Sequence, residues 1–288
     1  MLTTWYADSL ACPDCGFCFV MTAEQIVCKS CRYSSPFRQG QIDLRPHDPL
    51  PSSLQFPKRS SVTEVLDRVP IERPALTYRG PKALRDSGEL VSAMQPYLSP
   101  GARVLDLGCG PRDQAVVFDH LRFNYVGIDF DSPAADIAAD AHSIPFARET
   151  FDAVFSYAVL EHLHNPFLAL SEVNRVLKPG GIYCGTVSQG EPFHSSFFHA
   201  TAWGFISLVE TSGMRIQRLW PSYDTLRALA VMGRYPRVIR LLLRAVDALH
   251  TKFPLLAPRK RIAWTERERM LDDLYRAASI CFVVQKKP

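Results

Sequence analysis

An α/β fold is predicted, built on a mostly parallel sheet with a small metal-bound module in front of it and a helical insertion before its last strand. Three observations predict it. From residue 84 onward short apolar runs alternate with helically spaced segments, the mark of strand–helix–strand units. A glycine turn, Gly108-x-Gly110, follows the first of those runs, as at the binding crevice of doubly wound sheets. Five of the eight cysteines lie within the first 31 residues.

Composition narrows the class. The chain has 288 residues, 47% apolar and 22% charged, which excludes a disordered tail, a collagen-like fibre and a disulfide-dense miniprotein. No window reaches about 18 uninterrupted apolar residues, and the first residues lack a basic stretch followed by an apolar one. A soluble cytoplasmic protein is expected. Charge is uneven: residues 61–222 sum to −5 and residues 223–288 to +8. Such asymmetry points to an anionic partner, to a substrate funnel, or to a solvated amphipathic face.

Taken in order, the cysteines come first. Cys12-x2-Cys15 and Cys28-x2-Cys31 are two knuckles with twelve residues between them. Each turn presents two thiolates to one point, and two turns joined by a hairpin supply the four sulfurs of tetrahedral Zn2+. With all four positions filled by protein the ion is structural, and in so small a module it carries folding energy. Cys18 is left over as a small apolar residue. Residues 36–44 read as a turn and a last short strand, closing a zinc ribbon over residues 1–45. The module resembles the zinc ribbons of methyltransferase-activator proteins and the zinc-binding N-terminus of a ribosomal-RNA guanine methyltransferase family. Residues 46–61, with Pro46, Pro49, Pro51 and Pro57, have no periodicity and form a linker. The main domain covers residues 62–288 and opens with a helix over residues 84–98, stopped at Ser99-Pro100-Gly101.

Residues 102–110, ARVLDLGCG, carry the first buried strand and the glycine turn, and a helical pattern follows over residues 113–121. Residues 124–129, NYVGID, form a second strand ending in Asp129, where such folds place the acid that binds ribose hydroxyls. A dinucleotide dehydrogenase is disfavoured on two counts. Asp113 stands where its third glycine belongs, and Asp106 places an acid inside the strand, suited to ammonium or hydroxyl donors more than to pyrophosphate.

Asp106-x-Gly108-x-Gly110, Asp129, Ala139-Asp140-Ala141, Phe151-Asp152-Ala153-Val154, Leu160-Glu161-His162 and Leu177-Lys178-Pro179-Gly180-Gly181 occur in this order. Over about residues 100–222 the sequence therefore resembles the class I S-adenosylmethionine-dependent methyltransferases of the type 11 group. The resemblance implies a Rossmann-like seven-stranded methyltransferase sheet and S-adenosylmethionine as cofactor. It places Gly108, Cys109 and Gly110 along the methionine part, with Asp106 beneath the amino group. Asp129 and Phe130 fall at the ribose, and Asp140 with the Ala141 backbone at the adenine. Tyr157 and Ala158 face cofactor and acceptor.

Two departures stand out. Arg112 replaces the family's further glycine, placing there either a cation for the cofactor's carboxylate or a capped turn. Only six residues separate Asp129 from Asp136, too few for a crossover helix, so that helix is lost or the third strand is short and peripheral.

Strands over residues 152–157, 181–187, 214–220 and 279–287 and helices over 166–177 and 200–212 complete the pattern, with residues 223–277 as the helical insertion.

Methyl transfer needs a base only when the acceptor must lose a proton. Candidates are His142, His162, His164, His194 and His199. His194 and His199 rank first, because residues 191–201 follow the fifth strand at the rim where open sheets bind ligands. The competing reading makes them loop or capping histidines. His162 and Tyr157 follow as catalytic candidates. In the insertion Arg234, Arg237, Arg240 and Arg244 recur at helical spacing beside Val238, Ile239, Leu241, Leu242, Leu243, Val246 and Leu249. Such a helix suits peripheral contact with an anionic membrane, a lid, RNA phosphates, or packing on the core with its arginines in water.

The expected function is methyl transfer from S-adenosylmethionine to a small-molecule, glycan or lipid-linked acceptor in an enclosed pocket. The alternatives are an RNA base methyltransferase gripping RNA with ribbon and insertion, and a non-catalytic scaffold subunit of the same fold.

Overall fold

The computed structural model describes residues 5–38, 41–45, 66–75, 85–191, 195–252 and 265–288; the expected linker lies outside them. The N-terminal module is a run of short antiparallel strands, β1 (Phe19–Met21), β2 (Gln25–Cys28), β3 (Ser34–Arg38) and β4 (Gln41–Asp43). Helix α1 (Arg85–Met94) then leads to β5 (Arg103–Leu107), α2 (Ala115–His120), β6 (Asn124–Asp129) and the two-residue β7 (Ile137–Ala138). Next come β8 (Phe151–Tyr157), α3 (Pro166–Val176), β9 (Leu177–Ser188), α4 (Ala202–Thr211) and β10 (Met214–Pro221). The described residues of the insertion hold the helices α5 (Thr225–Met232), α6 (Arg237–Lys252) and α7 (Glu266–Arg276), and β11 (Ser279–Lys286) follows.

One mixed sheet runs β1-β2-β3-β4-β7-β6-β5-β8-β9-β11-β10. Its centre is parallel, and β11 inserts antiparallel between β9 and β10. The central strands are apolar on both faces because helices cover both: Leu105, Val126 and Val154 point into one cluster, Val104, Phe155 and Ile182 into the other. Each such fully buried side chain is worth roughly 1.5–3 kcal/mol against exposure. Local signals set the helix starts. Asn165 caps α3 ahead of Pro166, Thr201 caps α4, Asp224 caps α5, and Thr265 with Glu268 forms a capping box on α7.

Both halves of the crossover expectation meet at β7. No helix joins it to β6, and the strand is two residues long. The short connection suffices because Ile137 and Ala138 pair with Ile128 and Asp129, the last residues of β6, so the chain must double back only about 7 Å. The strand is not peripheral, however. β4 pairs with it in parallel, Ile42 opposite Ile137 and Asp43 opposite Ala138. The cysteine module therefore extends the sheet.

Candidate cofactor and acceptor site

The site grows from the C-terminal ends of β5, β6, β7 and β8, where the sheet order reverses around β5. Gly108 has φ +69°, and a Cβ there would lie 2.5 Å from a Val159 methyl carbon. The turn thus needs glycine both for its backbone and for the contact with the chain after β8. Asp129 closes β6, and its carboxylate is held in one orientation by three backbone N–H groups: Gly110 at 2.9 Å, Asp131 at 3.0 Å and Ser132 at 2.9 Å. After β7, Asp140 accepts from the His142 backbone at 2.8 Å and lies 2.6 Å from His142 Nδ1. Burial would raise the Asp140 carboxyl, but the His142 hydrogen bonds prevail and hold it below the usual range. The Asn165 N–H donates to His142 Nε2 at 3.2 Å, so the proton of a neutral His142 is on Nδ1, facing Asp140.

These groups converge on a cavity of about 610 Å³. Its walls bring together Gly108, Asp129, Phe130, Asp140, Ala141, Ala158 and three of the candidate histidines, His142, His162 and His164, from the sequence reading, and add Asp131 and Phe197. The His142 and His164 rings are 4.1 Å apart, and Phe197 stands edge-on to His164 at 6.3 Å. His162 is fixed by Nδ1 at 2.6 Å from the Ser195 carbonyl. His142 and His164 were named from sequence only as candidate bases below His194 and His199, and Phe197 was not singled out at all.

Other expected residues lie elsewhere. Asp106 is 1% exposed behind the glycine turn and accepts from the Tyr125 hydroxyl at 2.9 Å. Burial raises its carboxyl to about 7, against the Tyr125 hydrogen bond that lowers it. Cys109 is buried beside it, and Gly110 is turned away to hold Asp129 and to accept from Ser132 Oγ. Arg112, at φ +65°, pairs with Asp136 at 2.9 Å and covers the Tyr125 ring at 5.2 Å. Its guanidinium therefore caps the turn and does not line the cavity.

Tyr157 belongs to a second cavity of about 410 Å³, on the α1 side of the sheet. Strand register puts Tyr157, Thr186, Cys281 and Trp220 in one row across β8, β9, β11 and β10, forming its floor. His199 is exposed and outside both cavities. His194 lies outside the described residues. Between the rims Glu161 is 1% exposed, pushed up to about 7 chiefly by burial, and accepts from the Ser188 N–H.

In the N-terminal module the Cys12, Cys15, Cys28 and Cys31 sulfurs lie within 4.8 Å of one another, with Cys12–Cys31 at 3.5 Å and Cys15–Cys28 at 3.4 Å. A tetrahedron with metal–sulfur bonds of about 2.3 Å has edges of about 3.8 Å, so this set fits a tetrahedral thiophilic ion. Burial would raise the Cys28 thiol, but the N–H groups of Cys31 and Ser30 bring it down to about 7, toward the thiolate a metal requires. Cys18 is exposed and outside the cluster.

The glycine turn, Asp129 and Asp140 face one cavity at the carboxyl ends of the parallel central strands, the crevice where Rossmann-like sheets bind their ligands. Residues 105–185 match the model of a methyltransferase domain family. An uncharacterized methyltransferase of Schizosaccharomyces pombe is 31% identical over 115 residues, covering 32% of this chain and 41% of that protein. The demethylmenaquinone methyltransferase of Renibacterium salmoninarum is 37% identical over 93 residues, covering 28% and 39%. The solved phosphoethanolamine N-methyltransferase 2 of Haemonchus contortus, in complex with S-adenosylmethionine, is 16% identical with a TM-score of 0.44, covering 69% of this chain and 52% of that one. The chain spans about two fifths of the length of the curated relatives it matches.

Proposed function

We propose that the chain transfers a methyl group from S-adenosylmethionine to an acceptor held in a pocket, and that the four cysteines bind structural zinc. One observation carries the reading: Gly108, the backbone-locked Asp129 and the Asp140–Ala141 pair face the same cavity. When bound, S-adenosylmethionine supplies a methyl activated by a sulfonium. The protein's own work is then to orient, align and exclude water. Asp129 accepts from ribose hydroxyls with its carboxylate already fixed, Ala141 and Asp140 meet the adenine edge, and the Gly108 turn permits close approach. His162, fixed by Ser195, is the cavity residue placed to take a proton from a hydroxyl acceptor. Tyr157 faces the second cavity, where the acceptor body would extend. A small-molecule, glycan or lipid-linked acceptor suits these two cavities.

The RNA reading is supported by the exposed Arg234, Arg237 and Arg244, but the same helix exposes leucines that phosphates would not cover. The scaffold reading lacks support from a cavity that remains open. Calorimetry with S-adenosylhomocysteine tests the proposal. Asp129→Ala should weaken binding about 10- to 100-fold, the worth of a lost charge-assisted hydrogen bond pair, and Asp129→Asn less. No binding by the parent chain, or unchanged affinity in Asp129→Ala, overturns the assignment.

A further inference from the structure

α6 is mounted inside out. Its half-buried residues are Arg240, Leu243 and Asp247, at i, i+3 and i+7, turned toward the body where α6 packs on α5. Val238, Leu241, Leu242, Val246 and Leu249 are 68%, 56%, 60%, 41% and 43% exposed. The band continues along α5 and its turn through Val231, Met232 and Tyr235, which are 59%, 40% and 38% exposed. A helix with this pattern ordinarily buries its leucines against the core, so an apolar stripe about 17 Å long on α6 lacks its covering among the described residues.

We propose that this stripe docks on an anionic lipid bilayer. The charges decide the occupant. Arg237 and Arg244 are exposed along one flank of the stripe, with Arg234 at its start, while the one acid of α6, Asp247, is on the inner face. Leucines flanked by cations and clear of acids match the acyl–headgroup boundary of a negatively charged membrane. A like-to-like contact with a second copy of this stripe would set the same arginines against one another, with Asp247 turned to the inner face. RNA would leave the leucines in water. The stripe also ends at the second cavity, which Arg227 and Val231 of α5 help to line, so docking brings that mouth to the lipid surface.

Among the described residues no helix is long and apolar enough to cross a membrane, which fits contact in the plane of the interface. Docking needs no methyl transfer, so its test is separate from that of the catalytic reading. The full chain should float with vesicles of equimolar phosphatidylcholine and phosphatidylglycerol, bind phosphatidylcholine alone far less, and lose binding as salt is added. The Leu242→Glu, Leu249→Glu double variant should bind at least about tenfold more weakly. Arg237→Glu with Arg244→Glu should lose the preference for anionic vesicles by a similar factor. Circular dichroism and S-adenosylhomocysteine affinity should be unchanged in both. Failure of the parent chain to float, or flotation unaltered in both variants, overturns the proposal. So does a concentration-dependent dimer that Leu242→Glu abolishes, or RNA binding that the arginine variants remove in a chain that ignores vesicles.

Discussion

At the β4 edge the chain covers its own sheet with backbone pairing, buried aromatics and a four-cysteine cluster; beyond β10 it adds a helix whose leucines face outward. Both are attachments to the same parallel centre, yet only the first is built against the cavity of the glycine turn. Gln41 Nε2 donates to the Ser132 and Ala135 carbonyls, at 3.2 and 3.0 Å. Arg45 donates to the Phe130 carbonyl, covers that ring at 5.1 Å and is clamped by Asp43. On the far side of the cavity floor, Ser143 Oγ donates to the carbonyl of Pro13, between two cysteines, at 2.7 Å, and Ala11 N–H to that of Pro145. The segment that lacks a crossover helix is thus held by the cysteine module, which takes the place of that helix in packing. An attachment that replaces a missing element becomes structural; one that adds an element is available for a partner.

The largest expected effect breaks the comparison at its strong end. Removing the zinc proposed for the four cysteines with a chelator, or Cys28→Ser, should lower Tm more than any other change considered. Zinc in small modules of this kind contributes about 10–16 kcal/mol of apparent binding energy, all of it to the folded state. S-adenosylhomocysteine affinity should fall at least about tenfold along with it, because Phe130, Asp131 and His142 lose their backing. Thermal melts and calorimetry on loaded and stripped protein check this. Unchanged affinity after metal loss would show that the module is a passenger on the sheet edge.

A milder change isolates the coupling from the metal. Arg45→Ala removes the Asp43 pair, the Phe130 carbonyl bond and the ring contact while leaving the cysteines intact. The ion pair is partly exposed, with side chains 35% and 23% accessible, so solvent screening leaves about 1–2 kcal/mol in total. A few-fold loss of cofactor affinity with little change in Tm is expected from calorimetry and melts. An equal loss of both would assign Arg45 to general stability and not to the rim.

What the sequence made legible follows the same division. The glycine turn, Asp129 and Asp140 were readable because each is fixed within a few residues of its own strand end. Residues whose place depends on distant partners were not. Asp136, which engages Arg112, follows it by a long stretch of chain, and Asp106 is satisfied by Tyr125 of the next strand. His142 and His164 were legible as candidate bases, but their meeting with Phe197 joins three separate loops, so no local spacing announces the cluster. β7 has two residues, too few for any periodicity, and its pairing with β4 is a matter of tertiary register. The α6 pattern was visible as amphipathic, but which side meets the body is set by where α5 and its connections put it. The usual assumption, leucines inward, points the wrong way.

The smallest expected effect sharpens the weak end. Leu242 is 60% exposed, whereas Ile42, on the ribbon's last strand, is fully buried opposite Ile137. Placing a charge at each site asks the two attachments the same question. Ile42→Glu must desolvate a carboxylate inside the seam and should unfold the module or push that carboxyl far up to neutrality, at a cost of several kcal/mol. Leu242→Glu meets water already, so its change in stability should stay within about 0.5 kcal/mol. Matched thermal melts read both. A large loss in Leu242→Glu would mean that the leucine stripe is covered by the chain itself, which would remove the contrast between the two ends and with it the surface offered to a membrane.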